Sequence, residues 1–90
     1  MGGFITTMIL IPEMEKCIEM FKEKIRDILG QKLEWIDYGR KHLAYDVRNN
    51  EDGYYIEVKY FATSFEEVNK LEAILRASNE VLKYMTVKEI

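Results

Sequence analysis

The pattern of hydrophobic and polar positions divides the chain into six elements. Phe4 to Ile11 is apolar and β-branched almost throughout, which predicts a central strand. Pro12 ends it and suits the first turn of a following helix. From about Glu13 to Leu29 the apolar residues Met14, Cys17, Ile18, Phe21, Ile25, Ile28 and Leu29 fall at helical spacing on one stripe. Gly30 fits the position just past that helix. Two long strands follow. The first covers Leu33 to Val47 with an irregularity at Gly39, and the second covers Tyr54 to Ala62. Arg48-Asn49-Asn50-Glu51-Asp52-Gly53 between them reads as a hairpin loop, because Asn, Asp and Gly tolerate positive φ.

Ser64 with Glu67 has the spacing of a capping box, opening a second helix that runs to about Ala77. Phe65, Val68, Leu71, Ile74 and Leu75 form its buried face. Glu66 with Lys70 and Glu72 with Arg76 are spaced as i,i+4 pairs. Ser78-Asn79 breaks the helix, and Val81 to Lys88 is a last strand. The order is βαββαβ, an α+β arrangement of ferredoxin-like type: a four-stranded antiparallel sheet with two helices on one face. Ninety residues are expected to form a single domain over 1–90.

Charge alters this picture in one place. The net charge is −3, which argues against a generic nucleic-acid binder, since these are usually basic overall. Between Tyr38 and Asn49 the balance reverses: Arg40, Lys41, His42 and Arg48 face only Asp46. The other bulk properties are bland. No apolar run is long enough to span a membrane, no signal peptide is expected, and the lone Cys17 fits a reducing, cytosolic compartment.

The fold by itself hosts many functions. The hairpin is more specific. Tyr38-Gly39-Arg40-Lys41-His42-Leu43-Ala44-Tyr45-Asp46-Val47-Arg48 resembles the characteristic segment of bacterial ribosomal protein S-six, where an aromatic residue and glycine precede basic residues and then Leu-Ala-Tyr. The resemblance continues at Asp52-Gly53-Tyr54-Tyr55, at Leu71 to Arg76, and at Asn79-Glu80-Val81-Leu82-Lys83-Tyr84, so it covers the chain in order and spacing. It departs from the family at Met1-Gly2-Gly3-Phe4-Ile5-Thr6, which lacks the usual basic residues and glutamate. It departs again at Asp46, where proline is common. The acidic tail of some members is not expected in a sequence ending at Ile90.

This resemblance implies a structural protein of the small ribosomal subunit. Its members bind the central domain of small-subunit rRNA as a heterodimer with ribosomal protein S-eighteen. They have no enzymatic activity and no metal or cofactor. A cytoplasmic ribosome is implied, with an organellar one as the other setting. Arg40, Lys41, His42, Arg48, Arg76 and Lys83 are then the candidate RNA contacts, since Arg and Lys give charge-assisted hydrogen bonds to phosphate. The plainer readings are a solvated strand end, a helix ion pair for Arg76 and edge protection for Lys83.

Alternation in the third strand puts Tyr54, Ile56, Val58 and Tyr60 on a core face and Tyr55, Glu57, Lys59 and Phe61 on the other. Tyr55, Lys59 and Phe61 are therefore candidate partner contacts. Trp35 and Tyr45 read as structural, and Cys17 as a buried, inert thiol on the helix stripe. His42 has no Cys or second His near it in sequence, so no metal site is expected. No membrane or small-molecule substrate is expected either. The rival readings are a non-ribosomal ferredoxin-like module that self-associates or binds a small ligand, and a small enzyme on the same fold. For the enzyme the sequence offers no candidate catalytic group.

Overall fold

A computed structural model describes residues 2–30 and 33–89. The elements are β1 (Gly2–Leu10), a 3₁₀ turn (Pro12–Lys16), α1 (Ile18–Leu29), β2 (Glu34–Val47), β3 (Asn50–Ala62), α2 (Phe65–Ala77) and β4 (Val81–Glu89). The sheet is antiparallel with strand order β2-β3-β1-β4. The βαββαβ order and the interior position of the first strand are as expected.

One face of the sheet carries the core. Phe4, Met8 and Leu10 of β1 and Tyr54, Ile56, Val58 and Tyr60 of β3 are buried there. Phe21 and Ile25 of α1 and Val68, Leu71 and Leu75 of α2 pack onto them. Thr6 is a fully buried polar residue on this face. Its hydroxyl is satisfied by the Tyr60 hydroxyl at 3.1 Å and the Thr86 hydroxyl at 2.9 Å, so β1, β3 and β4 are joined through one point. Burial, the larger effect, pushes the Tyr60 phenol up, opposed by these hydroxyl bonds.

Four local expectations are corrected. The first helix does not start at Glu13. Pro12 opens a 3₁₀ turn whose bonds run from Met14 N–H to Ile11 O and from Cys17 N–H to Met14 O, and the α-helix begins afresh at Ile18. Cys17 sits at that joint, out of helical phase, and is exposed rather than buried. Ser64 is the N-cap of α2, but its side chain makes no capping bond. Instead the Thr63 hydroxyl donates to Glu67 Oε1 at 2.7 Å, which takes the glutamate away from the capping box. Phe65 is the first helical residue, ahead of the turn that meets the sheet, and is 66% exposed.

The hairpin is tighter than six residues. Val47 pairs with Asn50, leaving Arg48 (φ 48°) and Asn49 (φ 65°) as a two-residue turn with both residues left-handed. The Asn50 side-chain amide donates to the Val47 and Arg48 carbonyls at 3.3 and 3.1 Å.

Gly53 is required by close approach. A Cβ there would lie 2.5 Å from Ile9 Cγ2 and 3.3 Å from Leu43 Cδ2. Ile9 is β-branched and stiff at χ1, so it cannot swing aside cheaply. Gly53→Ala is expected to lower stability by about 1–3 kcal/mol. In an Ile9→Ala background the penalty should largely vanish. Urea denaturation of the four proteins in that cycle checks both claims.

Candidate nucleic-acid interface

Two irregularities in the β2–β3 ladder decide where the hairpin side chains point. Asp37 is opposite Ile56 but Gly39 is opposite Tyr55, so Tyr38 is an extra residue, and Gly39 takes φ 85°. Before this bulge Trp35 and Asp37 share the core face with Val58 and Ile56. After it the alternation is inverted: Gly39 and Lys41 lie opposite Tyr55 and Gly53 on the open face, with Leu43 packed beside Gly53. The irregularity expected at Gly39 is thus present, and it moves Lys41 off the core face.

The second irregularity lies between the pairs His42–Asp52 and Val47–Asn50. Leu43-Ala44-Tyr45-Asp46 bulges outward against Glu51 alone. Leu43 is buried beside Gly53, while Tyr45 reaches across to β4. There Lys83 Nζ donates to the Tyr45 hydroxyl at 2.8 Å and sits 5.2 Å from the ring centre. The hydrogen bond from Lys83, then its charge, holds the Tyr45 phenol below its ordinary range, and the same contact raises the Lys83 ammonium.

The six expected RNA contacts separate into groups. Arg40 and His42 share one acid: Arg40 Nε lies 3.2 Å from Asp52 Oδ2, and His42 Nδ1 lies 3.2 Å from Asp52 Oδ1. The His42 hydrogen bond, with Arg40 behind it, holds the Asp52 carboxyl below the usual carboxylate range. Arg40 also borders a depression lined by Glu13, Asp46, Glu51 and Asp52. Lys41 lies 5.8 Å from the Tyr38 ring centre and has no acidic partner within 4 Å among the described residues. Arg48, Arg76 and Lys83 converge on a depression of about 250 Å³, lined also by Leu75, Val81, Leu82 and Tyr84. Arg48 turns its guanidinium back onto the chain, with Nη2 donating to Val81 O at 2.6 Å and Nη1 to Asn79 O at 3.4 Å. The expected Glu72–Arg76 pair does not close within 4 Å, which leaves Arg76 exposed on the last turn of α2.

The candidate partner contacts Tyr55, Lys59 and Phe61 share the open face of the sheet. Phe61 is 62% exposed there, and Met85 and Val87 on β4 and Ile36 on β2 are exposed on the same face. Lys59 is bordered by Glu89 at 3.8 Å and lies opposite Glu34. Reading by strand missed Asp52, Tyr45, Met85 and Val87. The alternation of Lys83, Met85 and Val87 was a usable signal for the last two. Asp52 and Tyr45 depend on the cross-strand register.

On the core side, the Tyr54 hydroxyl donates to Asp37 Oδ2 at 3.1 Å, and Lys22 of α1 pairs with Asp37 at 3.2 Å. Burial, then Asp37, pushes the Tyr54 phenol up. Lys22 also covers the partly buried Trp35, whose ring packs against the core. No group of three or more His, Cys, Asp or Glu among the described residues is placed to hold a metal ion. No described helix is long and apolar enough to cross a membrane.

The described residues form a split-βαβ sheet with an irregular hairpin and an open face that carries apolar side chains, an architecture that by itself hosts many functions. The comparisons are specific. The family model described as Ribosomal protein S6 matches residues 4–88, and the chain belongs to that family. Among its relatives is the small ribosomal subunit protein bS6 of Nostoc sp., 32% identical over 89 residues, covering 93% of this chain and 82% of the relative. Another is bS6 of Moorella thermoacetica, 28% identical, covering 98% and 94%. The bS6c protein of Gracilaria tenuistipitata var. liui is 35% identical, covering 79% and 68%. The crystal structure of 30S ribosomal protein S6 from Thermotoga maritima has the same fold, with a TM-score of 0.85 at 18% identity, over 98% of this chain and 87% of that one. The family is one of structural, non-enzymatic proteins of the ribosome, in the cytoplasm or in an organelle.

Proposed function

We propose that residues 1–90 act as one domain that binds the central domain of small-subunit rRNA jointly with ribosomal protein S-eighteen. The observation that supports this most is the placement of Arg76 and Lys83 at one end of the sheet, beside the hairpin that carries Lys41. Among the described residues no acid lies within 4 Å of these three cations, so they meet phosphate without first breaking an ion pair there. Arg40 and His42 contribute only by leaving Asp52. The open face, which carries Tyr55 and Phe61 on β3 and Met85 and Val87 on β4, supplies an amphipathic surface for the protein partner. Since the chain is acidic overall, its affinity for RNA alone is weak, and the joint surface carries much of the binding.

The test is titration of a central-domain rRNA fragment with the chain, with and without S-eighteen, at two salt concentrations. Tight, salt-sensitive binding only with the partner is the expected result. No binding in either case, with a stable homodimer in solution, overturns the proposal. Within this assay Asp52→Asn is expected to strengthen RNA binding by about threefold to tenfold, because it frees Arg40 and His42 and removes a negative charge. An unchanged or weaker affinity would show that Asp52 positions those residues instead of competing for them.

A further inference from the structure

Arg48 stands at the tip of the hairpin, where an unpaired arginine would project into solvent. It folds back instead. Its two terminal nitrogens reach two carbonyls on one stretch of chain, Val81 O at 2.6 Å and Asn79 O at 3.4 Å, where α2 gives way to β4. Its left-handed backbone belongs to the two-residue turn of the hairpin. The β1–β4 ladder has its own irregularity there, between Ile9 and Leu10. A second tie crosses the same gap from Tyr45 to Lys83. The hairpin is therefore joined to a strand that is not its ladder neighbour, since β1 and β3 lie between β2 and β4.

We infer that Arg48 is a positioning residue: a latch that locks the β2–β3 tip onto the start of β4 and sets the surface formed with Arg76 and Lys83, without itself binding phosphate. The chemistry favours a latch. A guanidinium is a rigid fork that serves two acceptors at once, whereas an ammonium is a point charge on a flexible stem. A tip already fixed has little left to order on binding, which is where preorganisation adds affinity. The purpose of the latch rests on the RNA-binding reading above. The latch itself rests on geometry.

The experiment uses the full chain with Arg48→Ala and Arg48→Lys. Amide hydrogen exchange from Leu43 to Asp52 in the free protein is expected to quicken at least about tenfold in both variants, with core amides of β1 and α2 unchanged. In the rRNA-fragment titration with S-eighteen, both variants should bind about threefold to tenfold more weakly, with the salt slope of the wild type. Unchanged exchange at the tip refutes the latch. A slope lowered by about one in the alanine variant, with slope and affinity kept in the lysine variant, makes Arg48 a phosphate ligand and refutes the inference. A lower denaturation midpoint with unaltered affinity would reduce Arg48 to a stabilising residue and refute its positioning role. Failure of the wild type to bind RNA at all sinks the RNA reading and with it the purpose of the latch, while the exchange result still decides whether the latch exists.

Discussion

Replacing Arg76 and Lys83 together by glutamate is expected to weaken partner-dependent binding to the rRNA fragment about a hundredfold at low salt. Each side chain offers a charge-assisted hydrogen bond to phosphate, and removing such a bond costs about 1.5 kcal/mol or more. Two of them amount to about 3 kcal/mol, and tenfold corresponds to about 1.4 kcal/mol. The effect should shrink as salt rises, because the lost contacts are those that release counterions. The neutral double variant Arg76→Gln with Lys83→Gln should lower the salt slope by about two. Both side chains are exposed, among the described residues neither forms an ion pair within 4 Å, and the one bond lost, from Lys83 to the Tyr45 hydroxyl, is itself exposed, so circular dichroism and the denaturation midpoint should change little. Full-strength binding by the folded glutamate variant would remove this end of the sheet from the interface.

Leu71→Ala should have the largest effect on stability. Leu71 is fully buried on α2, in the cluster that joins both helices to β1 and β3. Truncating a buried leucine costs about 2–5 kcal/mol, through lost transfer energy and the cavity left behind. A domain of this length has about 5–13 kcal/mol in total, so the variant would lose a large part of its margin. Chemical denaturation measures this directly. A loss under about 1 kcal/mol would mean that α2 settles into the cavity, which would place its packing among the looser in the core. Ile74, on the same expected face, is only partly buried, so Ile74→Ala should cost less.

Local patterns were enough to read the element order and the faces of β3. Tyr54, Ile56, Val58 and Tyr60 are buried as their alternation required. Gly39 was legible as an irregularity because a glycine inside a strand weakens it and commonly marks a bulge. What remained hidden depended on which strand lay opposite. Asp52 looked like a turn residue until the register set it across from His42, where it takes up Arg40 as well. Tyr45 looked structural until the four-residue bulge carried it to Lys83. Arg48 counted as one more cation because nothing in its neighbourhood along the chain discloses two carbonyls more than thirty residues away. The misplacement of Cys17 has a different origin. A single 3₁₀ turn after Pro12 shifts the helical phase, and periodicity counted from Met14 cannot register the slip.

The position of β1 also bears on how the chain reaches its fold during synthesis. One edge of β1 is matched by β3, and the other waits for β4, with Thr6 and Thr86 joined across 80 positions of sequence. During synthesis β1 therefore keeps an unsatisfied edge until β4, some seventy residues further along, has emerged. Long-range pairings of this kind slow folding. An incomplete chain that exposes such an edge is a substrate for chaperones, so pausing before Val81 is translated would leave this protein at its most vulnerable.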